Sequence, residues 1–175
     1  AVKWCVPQQQ IGARGTLPYP LFIPVSQRAA IMSYQQMTSP CGLDCFNCPA
    51  YLANEDLNLR TDLAEKLGLP LEAVTCNGCR NAEGIIAFLG DKGPCVVFQC
   101  TRRKGIAFCC ECAEFPCDRL HPYADQAAVR QHNTKLFNLC QIKKMGVEKW
   151  AEEKALKVKQ TYFHGKLGVH AADDK

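Results

Sequence analysis

The residues of this chain that can do chemistry are its sulfurs. Eleven of its 13 cysteines fall between Cys41 and Cys117, in short clusters. They read Cys41-Gly-Leu-Asp-Cys45-Phe-Asn-Cys48-Pro, Cys76-Asn-Gly-Cys79, Cys95-Val-Val-Phe-Gln-Cys100 and Cys109-Cys110-Glu-Cys112-Ala-Glu-Phe-Pro-Cys117. Three C-x-x-C pairs stand out: 45/48, 76/79 and 109/112. That spacing lets two sulfurs meet one ion while the intervening amides turn toward the thiolates. Disulfide scaffolds are instead short, secreted and even in cysteine count. Here the count is odd, and the apolar residues of 17–32 are interrupted by Pro18, Pro20, Pro24 and Arg28, unlike a signal peptide. The pattern therefore predicts metal ligation in a reducing cytoplasm. The four histidines, His121, His132, His164 and His170, have no partner at ligand spacing, so the sites should be all-sulfur.

Leaving out Cys110, ten candidate ligands remain: Cys41, Cys45, Cys48, Cys76, Cys79, Cys95, Cys100, Cys109, Cys112 and Cys117. Two four-coordinate sites use eight. One division pairs Cys45, Cys48, Cys76 and Cys79 in a ribbon-like site and gives Cys100, Cys109, Cys112 and Cys117 to the second. Cys41 and Cys95 are then left over, or replace a member; spacing alone leaves the partition open. The metal expected is Zn2+, about two ions per chain in structural sites. The alternative is [4Fe–4S] clusters in an electron-transfer or redox protein, which the C-x3-C-x2-C-P run of Cys41, Cys45, Cys48 and Pro49 keeps in view. Radical S-adenosylmethionine enzymes share that spacing. Only 127 residues follow Cys48, too few for their barrel, and no strand–helix alternation is visible.

Weaker signals surround the cysteines. Arg102, Arg103 and Lys104 form a short basic run beside Cys100. It reads first as a solvated loop and second as an anion contact or a counter-charge to thiolates. Cys110 is a candidate reactive thiol, with those cations lowering its pKa; the plainer reading is a spare cysteine. Phe46, Tyr51, Phe98, Phe108 and Phe115 neighbour cysteines, and shielding metal sites is the default role for them. No Gly-rich phosphate loop, nucleophile–His–acid pattern or paired carboxylates is present. No catalytic residue is therefore assigned, and the expected role is non-enzymatic.

The elements that position these clusters are helical. Leu52, Leu59, Leu63 and Leu67 predict a helix over 51–69, stopped by Gly68 and Pro70. A second helix is predicted from about 122 to 145 with Leu136, Leu139, Cys140 and Ile142 inward. A third, 147–162, places Val147, Trp150, Ala151, Ala155, Val158 and Tyr162 on one stripe, with Glu and Lys opposite. The stretch between the first two reads as turns, short strands and knuckles. The fold class expected is a small, α-rich α+β protein, with helices packed against irregular metal-bound loops of zinc-ribbon or knuckle type. Residues 1–37, rich in Pro and Gln, read as a loosely ordered or non-native arm with Cys5 a bystander; 38–162 is the Cys-rich domain, and 163–175 a polar tail. The net charge is +4. Three uncompensated cations lie in the first 40 residues, and thiolate sites would offset the rest. Charge alone therefore argues no nucleic-acid role. A protein partner is the first expectation, nucleic acid a weaker one. No apolar run of transmembrane length occurs, so no membrane role is expected.

Several of these segments, in order, resemble one family. CGLDCFNCPAY at 41–51, CNGCR at 76–80, the Cys95–Cys100 pair, KGIAFCCECAEFPC at 104–117 and GVEKW at 146–150 are similar to small cysteine-rich bacterial and archaeal proteins catalogued as domain of unknown function 3795. The resemblance spans about residues 38–158. It implies a cytoplasmic, zinc-binding protein and carries no assigned reaction. By matching position, the ten candidate cysteines fall on the family's pattern. Some members continue into a further C-x-x-C-G, and residues 159–165 here contain no cysteine. Beside a structural interaction module and a redox carrier, a third expectation is metal or sulfur handling, with Cys110 and the surplus cysteines as labile thiols.

Overall fold

The structure is a computed structural model that describes residues 33–87, 90 and 93–166. The arm before residue 33, Cys5, His170 and the end of the tail lie outside the described residues. The helices are α1 (Pro49–Leu52), α2 (Leu57–Leu67), α3 (Gly78–Asn81), α4 (Val96–Lys104), α5 (Lys135–Met145), α6 (Val147–Trp150) and α7 (Leu156–His164). A π-helical turn, Ala151–Ala155, joins α6 to α7. The helix-rich class is as expected. The short strands are not: among the described residues the β structure is one isolated bridge, Thr38 to Asp44.

Three boundaries differ from the periodicity, each for a local reason. The helix over 51–69 is broken at 53–56. Asn54 turns its side chain away to the Cys76 backbone, and Asp56 restarts the helix by accepting the Leu59 N–H at 3.0 Å. Arg60 then covers the freed Ala53 and Asn54 carbonyls, both at 2.8 Å. The helix expected from 122 begins only at Lys135. Asn133 exchanges two 3.0 Å hydrogen bonds with the Tyr123 backbone, closing residues 123–133 into a loop. That start sets the phase of α5: Leu139 and Ile142 are buried, while Leu136 and Cys140 face solvent. Finally, the Cys95–Cys100 segment is helical, with Cys95 at the N-cap position and Arg102, Arg103 and Lys104 in its last turn, where cations favour a helix C-terminus.

The core gathers around Trp150, which is fully buried. Phe46 stands edge-on to it at 6.0 Å, and Tyr34 edge-on to Phe46 at 5.1 Å. Leu139, Ile142, Val147, Ala151 and Ala155 complete it. Phe46 lies inside the first cysteine cluster, so the first cysteine loop and the C-terminal helices share one core. The π turn decides which residue of the last helix points inward. A wider turn retards the helical phase, so the steps Ala151, Ala155, Lys159 stay on the buried face. Lys159, expected on the outer face, is consequently buried.

Candidate metal centre

All 12 described cysteines are free thiols. They fall into two neighbourhoods. In the first, a 3-10 turn (Cys45–Asn47) leads into α1, with Cys48 at the N-cap position and Pro49 opening the helix. The 76/79 pair enters α3. Gly78 has φ +80, and a Cβ there would lie 3.4 Å from the Tyr51 ring and 3.7 Å from the Cys45 Cβ. The positive φ calls for glycine, and the ordinary van der Waals spacing to Cys45 shows that the two knuckles face each other. Asn54 clamps the second knuckle: its Nδ2 donates to the Cys76 carbonyl at 2.7 Å, and its Oδ1 accepts the Cys76 N–H at 3.3 Å.

The thiols feel one another there. Burial pushes Cys45 up to about 12, with Cys48, Cys76 and Cys41 adding repulsion. Burial also raises Cys79, next to Cys41, Cys45 and Cys95, and raises Cys76, next to Cys48. Six candidate ligands, Cys41, Cys45, Cys48, Cys76, Cys79 and Cys95, thus share this neighbourhood.

The second neighbourhood is a cavity of about 280 Å³ lined by Cys100, Cys109, Cys112 and Cys117 from α4 and the 109–117 loop. Cys109 is buried and pushed up to about 12, by burial first and then by Cys41, Cys117, Cys100 and Cys110. Cys41 therefore lies between the two groups. Its sulfur is 3.1 Å from Ser39 Oγ. The Cys109 N–H donates to the Pro40 carbonyl at 2.9 Å, which holds the loops together. Arg103 and Lys104 line the cavity, whereas Arg102 faces solvent and pairs with Glu83 at 3.5 Å.

Cys110 is buried and its thiol is pushed up by burial, so it lacks the lowered pKa of a reactive cysteine. The thiol that is pulled down is Cys112. Its sulfur accepts from Lys104 Nζ at 3.1 Å and from the Glu114 N–H at 3.4 Å.

Arg80 was not singled out by its sequence, although it closes the C-x-x-C-R motif. Its Nε donates to the Thr38 carbonyl at 2.8 Å and its guanidinium donates to the Ala107 carbonyl at 2.7 Å. It also lies over the Phe108 ring at 5.0 Å. One side chain therefore ties the knuckle at 76–79 to the loops before Cys41 and before Cys109, and sets a cation beside Cys79, Cys45 and Cys41. An arginine directly after a ligand pair was the available signal.

Among the described residues no group of three or more Cys, His, Asp or Glu side chains is drawn together tightly enough to hold a metal ion as it stands. The donor chemistry nonetheless fits a thiophilic ion: thiols only, delivered by separate segments, unpaired, and flanked by Arg80 and Lys104.

Comparison with known proteins gives one result. The family described as Protein of unknown function (DUF3795) matches residues 37–122. Over those residues the chain carries this family's domain. The DUF3795 match takes in the four clusters from Cys41 to Cys117 and stops short of the 146–150 segment, α5, α6 and α7. No curated protein and no solved structure matches the chain. No described helix of this DUF3795 protein is long and apolar enough to cross a membrane.

Proposed function

We propose that the chain is a metal-binding protein whose two thiol groups each hold one Zn2+ and serve structure, not catalysis. The observation that carries this reading is the meeting of distant cysteines in two groups. Cys45 and Cys48 face Cys76 and Cys79 across Gly78, and Cys100, Cys109, Cys112 and Cys117 share one cavity. Cys41 and Cys95 flank the first group as reserve ligands. Bound zinc would supply fixed tetrahedral cross-links between loops that have little regular structure of their own. Arg80 and Lys104 would offset the negative charge of the thiolates.

Such a module serves contact with a partner protein. Val129, Tyr123 and Phe137, exposed along the 123–137 stretch, favour that use. A nucleic-acid role has less support, since Arg102 is already paired and the other two cations face the cavity. Free thiols at all the described cysteines suit a cytoplasmic location.

Metal analysis with an absorbance spectrum, on protein purified without oxygen, tests the reading. Two zinc ions per chain and no visible band are expected. Iron with sulfide and a broad visible band would replace zinc by iron–sulfur clusters and make the protein a redox carrier.

A further inference from the structure

α5 is apolar on both of its sides. Inward it buries Leu139 and Ile142, and Asn138 Nδ2 donates to the Gly42 carbonyl at 2.9 Å. Gly42 lets the first cysteine loop close onto the helix: a Cβ there would lie 3.0 Å from Leu139 Cγ and 3.1 Å from the Lys135 carbonyl oxygen. Near its other end, Lys143 Nζ stands 5.8 Å from the centre of the Phe115 ring, in the second cysteine loop. Both cysteine loops therefore back this helix and fix which face it turns outward.

The outward side chains are Leu136, Phe137, Cys140, Lys143 and Lys144, all exposed. At about 3.6 residues per turn they fall on one continuous arc. Along the axis, the first turns offer leucine, phenylalanine and a thiol, and the last turn offers two ammonium groups. Leu136 is 38% exposed and Phe137 54%. A surface helix normally sets polar residues opposite its buried stripe, and here the apolar turns have no cover. Tyr123, also exposed, joins that end, because its backbone is bonded to Asn133 just before the helix.

Charge decides what fits this face. Residues 126–147 contain Arg130, Lys135, Lys143 and Lys144 and no Asp or Glu. Among the described residues no carboxylate pairs with Lys135, Lys143 or Lys144. A second copy would bring the same cations to the face, on a chain of net charge +4. A bilayer is met by a long apolar stripe edged with cations, whereas here apolar and cationic turns follow one another along the axis. Leu136 has no ring on which a base could stack. A helix laid along α5 meets those turns in order.

We propose that the outer face of α5 docks an acidic amphipathic helix of a partner protein. Its apolar stripe covers Leu136, Phe137 and Cys140, and its carboxylates pair with Lys143 and Lys144. This rests on the partner-contact reading above and names the chemistry of the partner.

The test uses the full chain, with Cys140 as reporter. The probe is a synthetic helical peptide of leucine, alanine and glutamate with its leucines on one stripe. The control has the same composition, scrambled so that no stripe forms. The striped peptide should slow iodoacetamide modification of Cys140 about tenfold, mapped by mass spectrometry, and the scrambled one should not. Phe137→Ser, and separately Lys143→Glu with Lys144→Glu, should each weaken peptide binding about tenfold. These side chains are exposed, so the variants keep the fold. Equal protection by both peptides overturns the proposal, as does protection by neither. Protection by phosphatidylglycerol vesicles or a DNA oligonucleotide in place of the peptide gives the face to a lipid or a nucleic acid and overturns it too. So does a chain that sediments as a dimer with Cys140 already protected. Zinc content of the same samples separates the two readings. Zinc-loaded protein that binds no peptide removes this inference alone, and peptide bound over Cys140 on a chain that takes up no zinc removes the metal reading alone.

Discussion

Asp44, inside the first cysteine loop, and Lys159, on the last helix, form an ion pair at 3.5 Å with both side chains almost wholly buried. Asn47 completes it. Its Nδ2 donates to Asp44 at 2.9 Å, and its carbonyl accepts from Lys159 Nζ at 2.7 Å. Burial pushes the Asp44 carboxyl up, and Lys159 opposes that push. The pair fastens a helix that lies beyond the family match to the loop carrying Cys41, Cys45 and Cys48. The C-terminal helices are therefore part of the support for the first cysteine group.

Removing one partner strands the other as a buried charge. Lys159→Met should destabilise the protein by about 3–5 kcal/mol, whereas Asp44→Asn combined with Lys159→Met should recover much of the loss. Urea unfolding of the two variants decides it; a double variant no better than the single one would mean that packing, not charge, dominates.

Arg80 offers a second test of how the loops are joined. Arg80→Lys keeps the charge but cannot span both carbonyls. Losing one charge-assisted hydrogen bond should cost about 1.5–3 kcal/mol. Zinc affinity at the first centre should fall with it, because the loop before Cys41 is then released from the knuckle.

Metal removal should act on the cysteine loops. With zinc held by thiolates, chelation at neutral pH should abolish the cooperative unfolding of residues 38–122, since binding free energy is folding free energy in such sites. Proteolysis before and after chelation reads this directly. Unchanged protection would assign the loops' stability to the Trp150 core alone.

The buried thiols set a pH dependence for the metal-free, reduced protein. Cys45 and Cys109 rise from 9.0 to about 12, so the fold favours their neutral form. That stabilisation is whole below pH 9.0 and is lost as pH climbs toward about 12. Thiolate absorbance should rise for Cys112 first, pulled down by Lys104, and for Cys45 and Cys109 last. At pH 7 each zinc should release about four protons on binding, measurable by calorimetry in buffers of different ionisation enthalpy.

The sequence by itself determined the donor chemistry and much of the last helix. Cysteine spacing is local, so the C-x-x-C pairs were legible without a fold. So was the stripe of Val147, Trp150, Ala151 and Ala155, because helical period is a property of one segment. Tertiary structure alone decided the rest. A helix over 51–69 looked continuous until Asn54 found the Cys76 backbone, a partner 22 residues away. Lys159 belonged to an outer, charged face until a π turn shifted its phase and Asp44 supplied a buried counter-charge. Cys110 and Cys112 sit two positions apart beside the same cations, and only packing put one in the core and the other on Lys104. Hydrogen bonds and burial between distant segments have no signature in spacing, and in this protein they fix which thiols meet and which one lies against Lys104.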